Sequence, residues 1–245
     1  NNRLAALQNN AVQAADAFTS GTVSQIADPN LKVLWRPAMN LGYMGMNRAH
    51  GPLGNELVRR AIAHAIHRQA LIADDYPLGT EVASQLAPPI IWGHDPTIAD
   101  YAYDPGLARD LLAQAGFATG FTTTLTYRNV VRTYLPDPER VASAIRADLL
   151  AVGIDAAVVE MPSGPFLDAV YAGQLDLFLL GWGADFPHPL NFLGAILCDG
   201  SQAFGPQDAV LCDQLIEAQR EPSLAGQQAA YQSASRRAHA TLPLL

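Results

Sequence analysis

The chain has 245 residues, of which 49% are hydrophobic and 16% charged. That balance excludes a disordered chain and leaves enough apolar surface for a large core. The formal net charge is −8, with a single lysine (Lys32) against fourteen arginines and no basic cluster, which argues against a nucleic-acid partner. No run reaches the roughly eighteen apolar residues that a membrane span needs. Two cysteines, Cys198 and Cys212, are too few for a disulfide scaffold or a zinc ribbon. Fourteen residues apart, they could close one loop or be two small buried residues.

Residues 1–10 are polar and helix-like, so no signal peptide is visible. Residues 32–36 (KVLWR) and 41–46 (LGYMGM) read as strands. Residues 55–67 place Leu57, Val58, Ala61, Ile62, Ala65 and Ile66 at helical spacing, which predicts an amphipathic helix. Residues 78–104, with Pro88, Pro89 and Pro96, predict a packed loop.

The second part is more regular. Asp104-Pro105 and Asp137-Pro138 are helix starts, because Asp caps free N–H groups and Pro fits the first turn. Gly116, Gly153 and Gly173 are the matching stops, and Ser163 is expected to cap a short helix. Residues 121–127 (FTTTLTY), 154–161 (IDAAVVEM) and 175–182 (LDLFLLGW) read as strands, the last apolar enough to be buried on both faces. Helices follow around 191–197, 207–220 and 223–240. The order from 121 to 182 is therefore β-α-β-α-β, an α/β layer with parallel strands.

In such sheets ligands sit beyond the carboxyl ends of the strands. Two loops leave those ends. The first holds Arg132 and Tyr134; the second holds Trp182, Asp185 and His188. A guanidinium grips a carboxylate with two hydrogen bonds, and an aspartate receives an ammonium. Arg132 and Asp185 could thus hold the ends of a small zwitterion, with Trp182 and Tyr134 as an aromatic wall and His188 as a further contact. Equally, Asp185 could only cap the next helix, Arg132 could be a solvated loop residue and Trp182 a core residue. His64 and His67 lie three apart on one predicted helix, but two histidines make an incomplete metal site. No nucleophile elbow, zinc-protease motif or phosphate-binding glycine loop occurs.

Several segments, in order, resemble the extracytoplasmic solute-binding proteins of peptide ABC transporters, the family of dipeptide, oligopeptide and nickel binders. Residues 41–47 and 58–68 are similar to its "YLGFN…VRQALNYAIDR", and 87–96 to "PPGMWGYDP". Residues 103–116 resemble "YDPEKAKALLAEAG", and 181–192 resemble "GWTGD…DPDNF".

The resemblance implies a periplasmic-binding-protein type II lobe, α/β, with a mixed, partly parallel sheet flanked by helices. Residues 1–245 would form one large lobe of a two-lobed receptor whose N-terminal lobe and final strands lie outside this sequence. It implies a periplasmic or extracytoplasmic monomer that binds short peptides, works with a permease and an ATPase, and needs no cofactor or metal. Lipid anchoring is left open.

Asp185 matches the family's acceptor of the α-ammonium, and Arg132 its carboxylate-binding arginine. Thr133 replaces a proline, His188 an acidic residue, and Ser163 an aromatic one. The family's paired cysteines sit near Cys198, but Cys212 falls about one turn late, which weighs against a disulfide. The alternatives are a non-peptide ligand on the same scaffold, an α/β hydrolase-like enzyme, and the effector lobe of a regulator.

Overall fold

A computed structural model describes residues 2–16, 18, 20–76 and 79–245. Position 1 and residue 78, which opens the irregular stretch, fall outside these. Two short helices come first, α1 (Asn2–Gln8) and α2 (Ser20–Val23), then strand β1 (Asn40–Met46). A 3₁₀ turn (Gly51–Gly54) leads into α3 (Glu56–Ala65) and α4 (Arg68–Asp75). After a long irregular segment come α5 (Pro105–Gln114), β2 (Phe121–Arg128), α6 (Pro138–Ala151), β3 (Ile154–Met161), α7 (Ser163–Tyr171) and β4 (Leu177–Gly183). Helices α8 (Leu190–Leu197), α9 (Ala209–Arg220) and α10 (Leu224–Thr241) close the chain.

The four strands form one mixed sheet in the order β1-β4-β2-β3. β2 runs parallel to both β3 and β4, and β1 is antiparallel to β4. The chain crosses over from β3 to β4 by way of α7, which places β4 on the far side of β2. Residues of β4 alternate between two cores. Leu177 and Leu179 pack with α3, α5 and α6, whereas Phe178 and Leu180 pack with α7 to α10. The sheet is therefore a middle layer covered by helices on both faces, which is why 177–180 can be uninterruptedly apolar.

The Asp-Pro starts form as the sequence predicts. Asp104 accepts a hydrogen bond from Leu107 N–H, and Asp137 accepts one from Arg140 N–H. Gly116 and Gly153 stand at φ of 88° and 97°, the left-handed conformation that ends a helix.

Arg59 is 5% exposed and holds the closing turn of the chain. Its guanidinium donates to the carbonyls of Thr241 and Leu242 after α10 and to those of Leu53 and Gly54 in the 3₁₀ turn. Asp176 does similar work before β4. It accepts from both hydroxyls of Thr123 and Thr124 and from Thr124 N–H, and it meets His50 Nδ1 at 2.8 Å.

Four expectations are corrected. Residues 32–36 belong to no strand or helix; Leu34 and Trp35 are 77% and 65% exposed, and no described strand pairs with the segment to complete a ladder. The helix expected over 55–67 stops at Ala65, where Ile66 turns extended, and a second helix, α4, follows. Ser163 does not cap α7: Pro162 occupies that position, and the Ser163 hydroxyl instead accepts a hydrogen bond from Arg128. Cys198 and Cys212 are disulfide-bonded. Cys198 ends α8 and Cys212 lies in the first turn of α9, with Cα atoms 5.7 Å apart, so the loop between the helices brings the late cysteine back within reach.

Candidate functional site

β2 and β4 are parallel neighbours, so their carboxyl ends open at the same edge of the sheet. The loops carrying Arg132 and Asp185 both leave from that edge. The first is braced locally and across the sheet. Arg132 and Leu135 exchange backbone hydrogen bonds, and Asn40 at the start of β1 donates through Nδ2 to the Thr133 hydroxyl at 3.0 Å. Tyr134 lies over the sheet where two residues lack side chains. A Cβ on Gly181 would run into its ring, and one on Gly42 into its carbonyl oxygen.

The second loop is organised by Asn191, which is 7% exposed. Its Oδ1 accepts from Trp182 Nε1 at 3.3 Å and from Asp185 N–H at 2.9 Å. One buried amide thus fixes both the indole and the backbone beneath the carboxylate. Asp185 is not a helix cap; Pro189 precedes α8. Among the described residues the Asp185 carboxylate has no hydrogen-bond or ion-pair partner and is exposed. Arg132 is exposed as well, and its only side-chain bond goes to the carbonyl of Val131.

Trp182 packs on the α7–α10 side of the sheet, whereas Tyr134 packs on the α3–α6 side. The two aromatic residues therefore flank the edge from opposite faces. His188 is tied into the loop. Its Nδ1 accepts from Leu190 N–H at 3.1 Å, and its ring meets Trp92 and Tyr231 edge-on at 5.0 and 5.4 Å. Burial pushes its pKa below the ordinary histidine value, which keeps Nδ1 free to accept.

His64 and His67 serve the irregular segment. His64 Nδ1 lies 2.7 Å from the Ala102 carbonyl, and His67 stacks on Tyr103 at 4.3 Å. Among the described residues no group of three metal-ligating side chains forms.

Two groups carry weight here that the sequence did not single out. Asn191 was visible only as part of a motif. Arg128, the last residue of β2, puts its guanidinium at the same edge, 2.9 Å from Ser163 Oγ and 3.5 Å from Tyr134 Oη. An arginine at the final position of a parallel strand was the available signal. Beyond Tyr134 the α3–α6 side opens into a cavity of about 1280 Å³, bordered by Trp35, Leu41, Tyr76 and Leu245.

Residues 1–204 match the model of the middle part of bacterial extracellular solute-binding proteins, family 5. The chain belongs to that family. A dipeptide-binding protein of Pseudomonas aeruginosa is 38% identical over 171 residues, covering 69% of this chain and 32% of that protein. A dipeptide-binding protein of Escherichia coli K12 is 30% identical over 224 residues, 91% of this chain and 42% of its own length. The crystal structure of a dipeptide-binding protein from Pseudoalteromonas sp. SM9913 in complex with Met-Leu superposes with a TM-score of 0.87 at 26% identity, covering 99% of this chain and 49% of that one. The family 5 chain described here thus spans less than half the length of these relatives. The mixed sheet between helical layers is the fold that the family resemblance implies.

Proposed function

We propose that this chain is the larger ligand-binding lobe of a receptor that captures short peptides outside the cytoplasmic membrane and delivers them to an ABC permease and its ATPase. The supporting observation is the pair of loops at one sheet edge, presenting an arginine and an aspartate that, among the described residues, form no ion pair with each other or with any other group. Asp185 accepts the peptide's α-ammonium, and Arg132 donates two parallel hydrogen bonds to its α-carboxylate. Trp182 and Tyr134 flank the peptide, and His188 shapes the loop that carries Asp185. A second lobe closes over this edge by a hinge motion and excludes water, which strengthens both contacts. The dipeptide-binding relatives support peptides as the ligand class, and the exposed segment 32–36 with the open cavity beside it supports a neighbouring lobe there.

Calorimetry on the full-length protein carrying this chain tests the reading. Asp185→Asn should weaken binding of a free-amine dipeptide by about 2–5 kcal/mol while leaving its N-acetyl analogue little changed. Arg132→Ala should do the same for the free carboxylate against the amide. Equal losses for blocked and unblocked peptides would overturn the zwitterion grip.

A further inference from the structure

Several arginines in this molecule are met by carboxylates: Arg68 by Asp100 at 2.7 Å, Arg237 by Asp208 at 2.8 Å, and the more exposed Arg236 by Asp95. Half-buried Arg48 and the more deeply buried Arg59 are met by backbone carbonyls, two for Arg48 and four for Arg59. Arg128 differs from all of these. It is half-buried, and its two bonds go to neutral hydroxyls, Ser163 Oγ and Tyr134 Oη. Glu160, on the neighbouring strand β3, is placed beside Tyr127, whose hydroxyl donates to it at 3.3 Å. Tyr127 packs on the α3–α6 side, whereas Arg128, next along the strand, turns to the α7 side, where Ser163 and Trp182 lie.

The charge count at this edge follows. At the carboxyl ends of β2 and β4, Arg128 and Arg132 bring two positive charges and Asp185 one negative charge, while Glu160 on β3 is engaged by Tyr127. A dipeptide with a neutral side chain supplies one ammonium and one carboxylate, which Asp185 and Arg132 take. One guanidinium then remains, shielded by the ligand itself and without an anion. Two of its five N–H donors are used by the hydroxyls, and the other three are free to form a bidentate pair with a carboxylate. Closing the site over it without such a partner buries an unpaired charge.

We infer that Arg128 is a specificity-determining residue that selects peptides bearing an aspartyl or glutamyl side chain, its guanidinium steadied for that task by Ser163 and Tyr134. The inference rests on the peptide-receptor reading above and adds the ligand's side-chain class to it. Ser163 matters for space as well as bonding: Gly164 beside it has open space where a side chain would project, so an acidic side chain can reach the guanidinium past the start of α7.

The test is calorimetric competition on the full-length protein with two matched pairs, Ala-Glu against Ala-Gln and Glu-Ala against Gln-Ala. The members of each pair differ by one charge and hardly in shape. The wild type is expected to prefer the acid in at least one pair by about tenfold to a hundredfold. Arg128→Gln should bring that ratio to near unity, and Arg128→Lys should keep part of it, since a point charge remains without the fork. Ser163→Ala should lower the ratio without abolishing it. A wild type that binds all four peptides with acid and amide equal overturns the assignment of Arg128 and leaves the peptide reading intact. A preference that survives in Arg128→Gln overturns it too. Failure of the wild type to bind any of the four overturns the peptide reading itself. Because the wild-type comparison needs no substitution, a variant that does not fold cannot rescue or sink the inference.

Discussion

Strand β4 and the segment 32–36 are built from similar side chains and end in opposite situations. In β4, Leu177, Phe178, Leu179 and Leu180 are all buried, sandwiched between β1, β2 and helices on two faces. In 32–36 no strand forms, and Leu34 and Trp35 stand mostly in solvent. β-branched and aromatic residues describe a segment that fits a pleated surface; whether it becomes a strand depends on a neighbour to hydrogen-bond with. The packed region has its neighbours within the chain. The exposed segment lines an open cavity instead.

The contrast can be broken hardest in the packed region. Phe178 is fully buried, its ring lying where a Cβ on Gly45 would be and meeting Tyr43 and Phe204 at 6.5 and 5.6 Å. Phe178→Ala should cost about 3–5 kcal/mol, through lost transfer energy and a cavity that a sheet cannot collapse around. Urea unfolding of the chain reads this directly. A loss below 1 kcal/mol would mean that the core relaxes freely, contrary to the packing described.

The next largest effect is expected at Arg59, where the packed region closes on the chain's last turn. Replacing it by Met keeps much of the volume and removes every donor. The carbonyls of Thr241, Leu242, Leu53 and Gly54 then lose their partner in a site with little access for water, at a cost of about 2–3 kcal/mol. If Arg59→Met unfolds at the wild-type urea concentration, those carbonyls are hydrated in solution and the arginine is dispensable.

How much of this was legible beforehand divides along the same line. Residues 121–183 were readable because each helix start carries its own cap, Asp137 with Pro138 for instance, and each strand its own period. The rule that ligands gather at the carboxyl ends of parallel strands then pointed to the loops of Arg132 and Asp185. What could not be read depends on distant partners. Nothing in the sequence marks the break at Ile66: no Gly or Pro stands there, and the apolar spacing continues. The place of β1 beside β4, antiparallel, is a choice of neighbour and not of propensity. The disulfide required knowing how the loop from Cys198 turns back onto α9. Arg128 looked like any loop-flanking arginine until its lack of a carboxylate could be compared with Arg68, Arg236 and Arg237.

A smaller and pH-dependent effect is expected at Asp176, which anchors β4 to β2. Burial pushes its carboxyl up, but the bonds from His50, Thr124 and Thr123 outweigh that and hold it below the usual carboxylate range. A depressed folded-state pKa means stability that is present above the unfolded carboxylate value, about 4, and is lost as pH falls through the lower folded value. The wild type should therefore lose urea resistance below about pH 4, and Asp176→Asn should flatten part of that loss while costing about 1 kcal/mol at neutral pH. An unchanged acid limb in the variant would assign the loss to other carboxylates.

The smallest effect on this chain, and the most informative, is expected at Trp35. Two-thirds of its surface is already in water and only one side borders the cavity, so little apolar area is lost when it is truncated. Trp35→Ser should shift the stability of the 245-residue chain by no more than about 0.5 kcal/mol, the ordinary range for exposed positions. In the full-length receptor proposed above the expectation reverses. If a further part of the receptor lies along 32–36, the indole is removed from water there, and burying a large side chain is worth about 1.5–3 kcal/mol. The same substitution should then cost an amount of that order, and unfolding curves of the two proteins, each with and without it, isolate the difference. Equal small effects in both would mean that the proposed second lobe does not lie along 32–36. Equal large effects would show that Trp35 is already packed within the chain, and the contrast between the two regions would fail at its starting point.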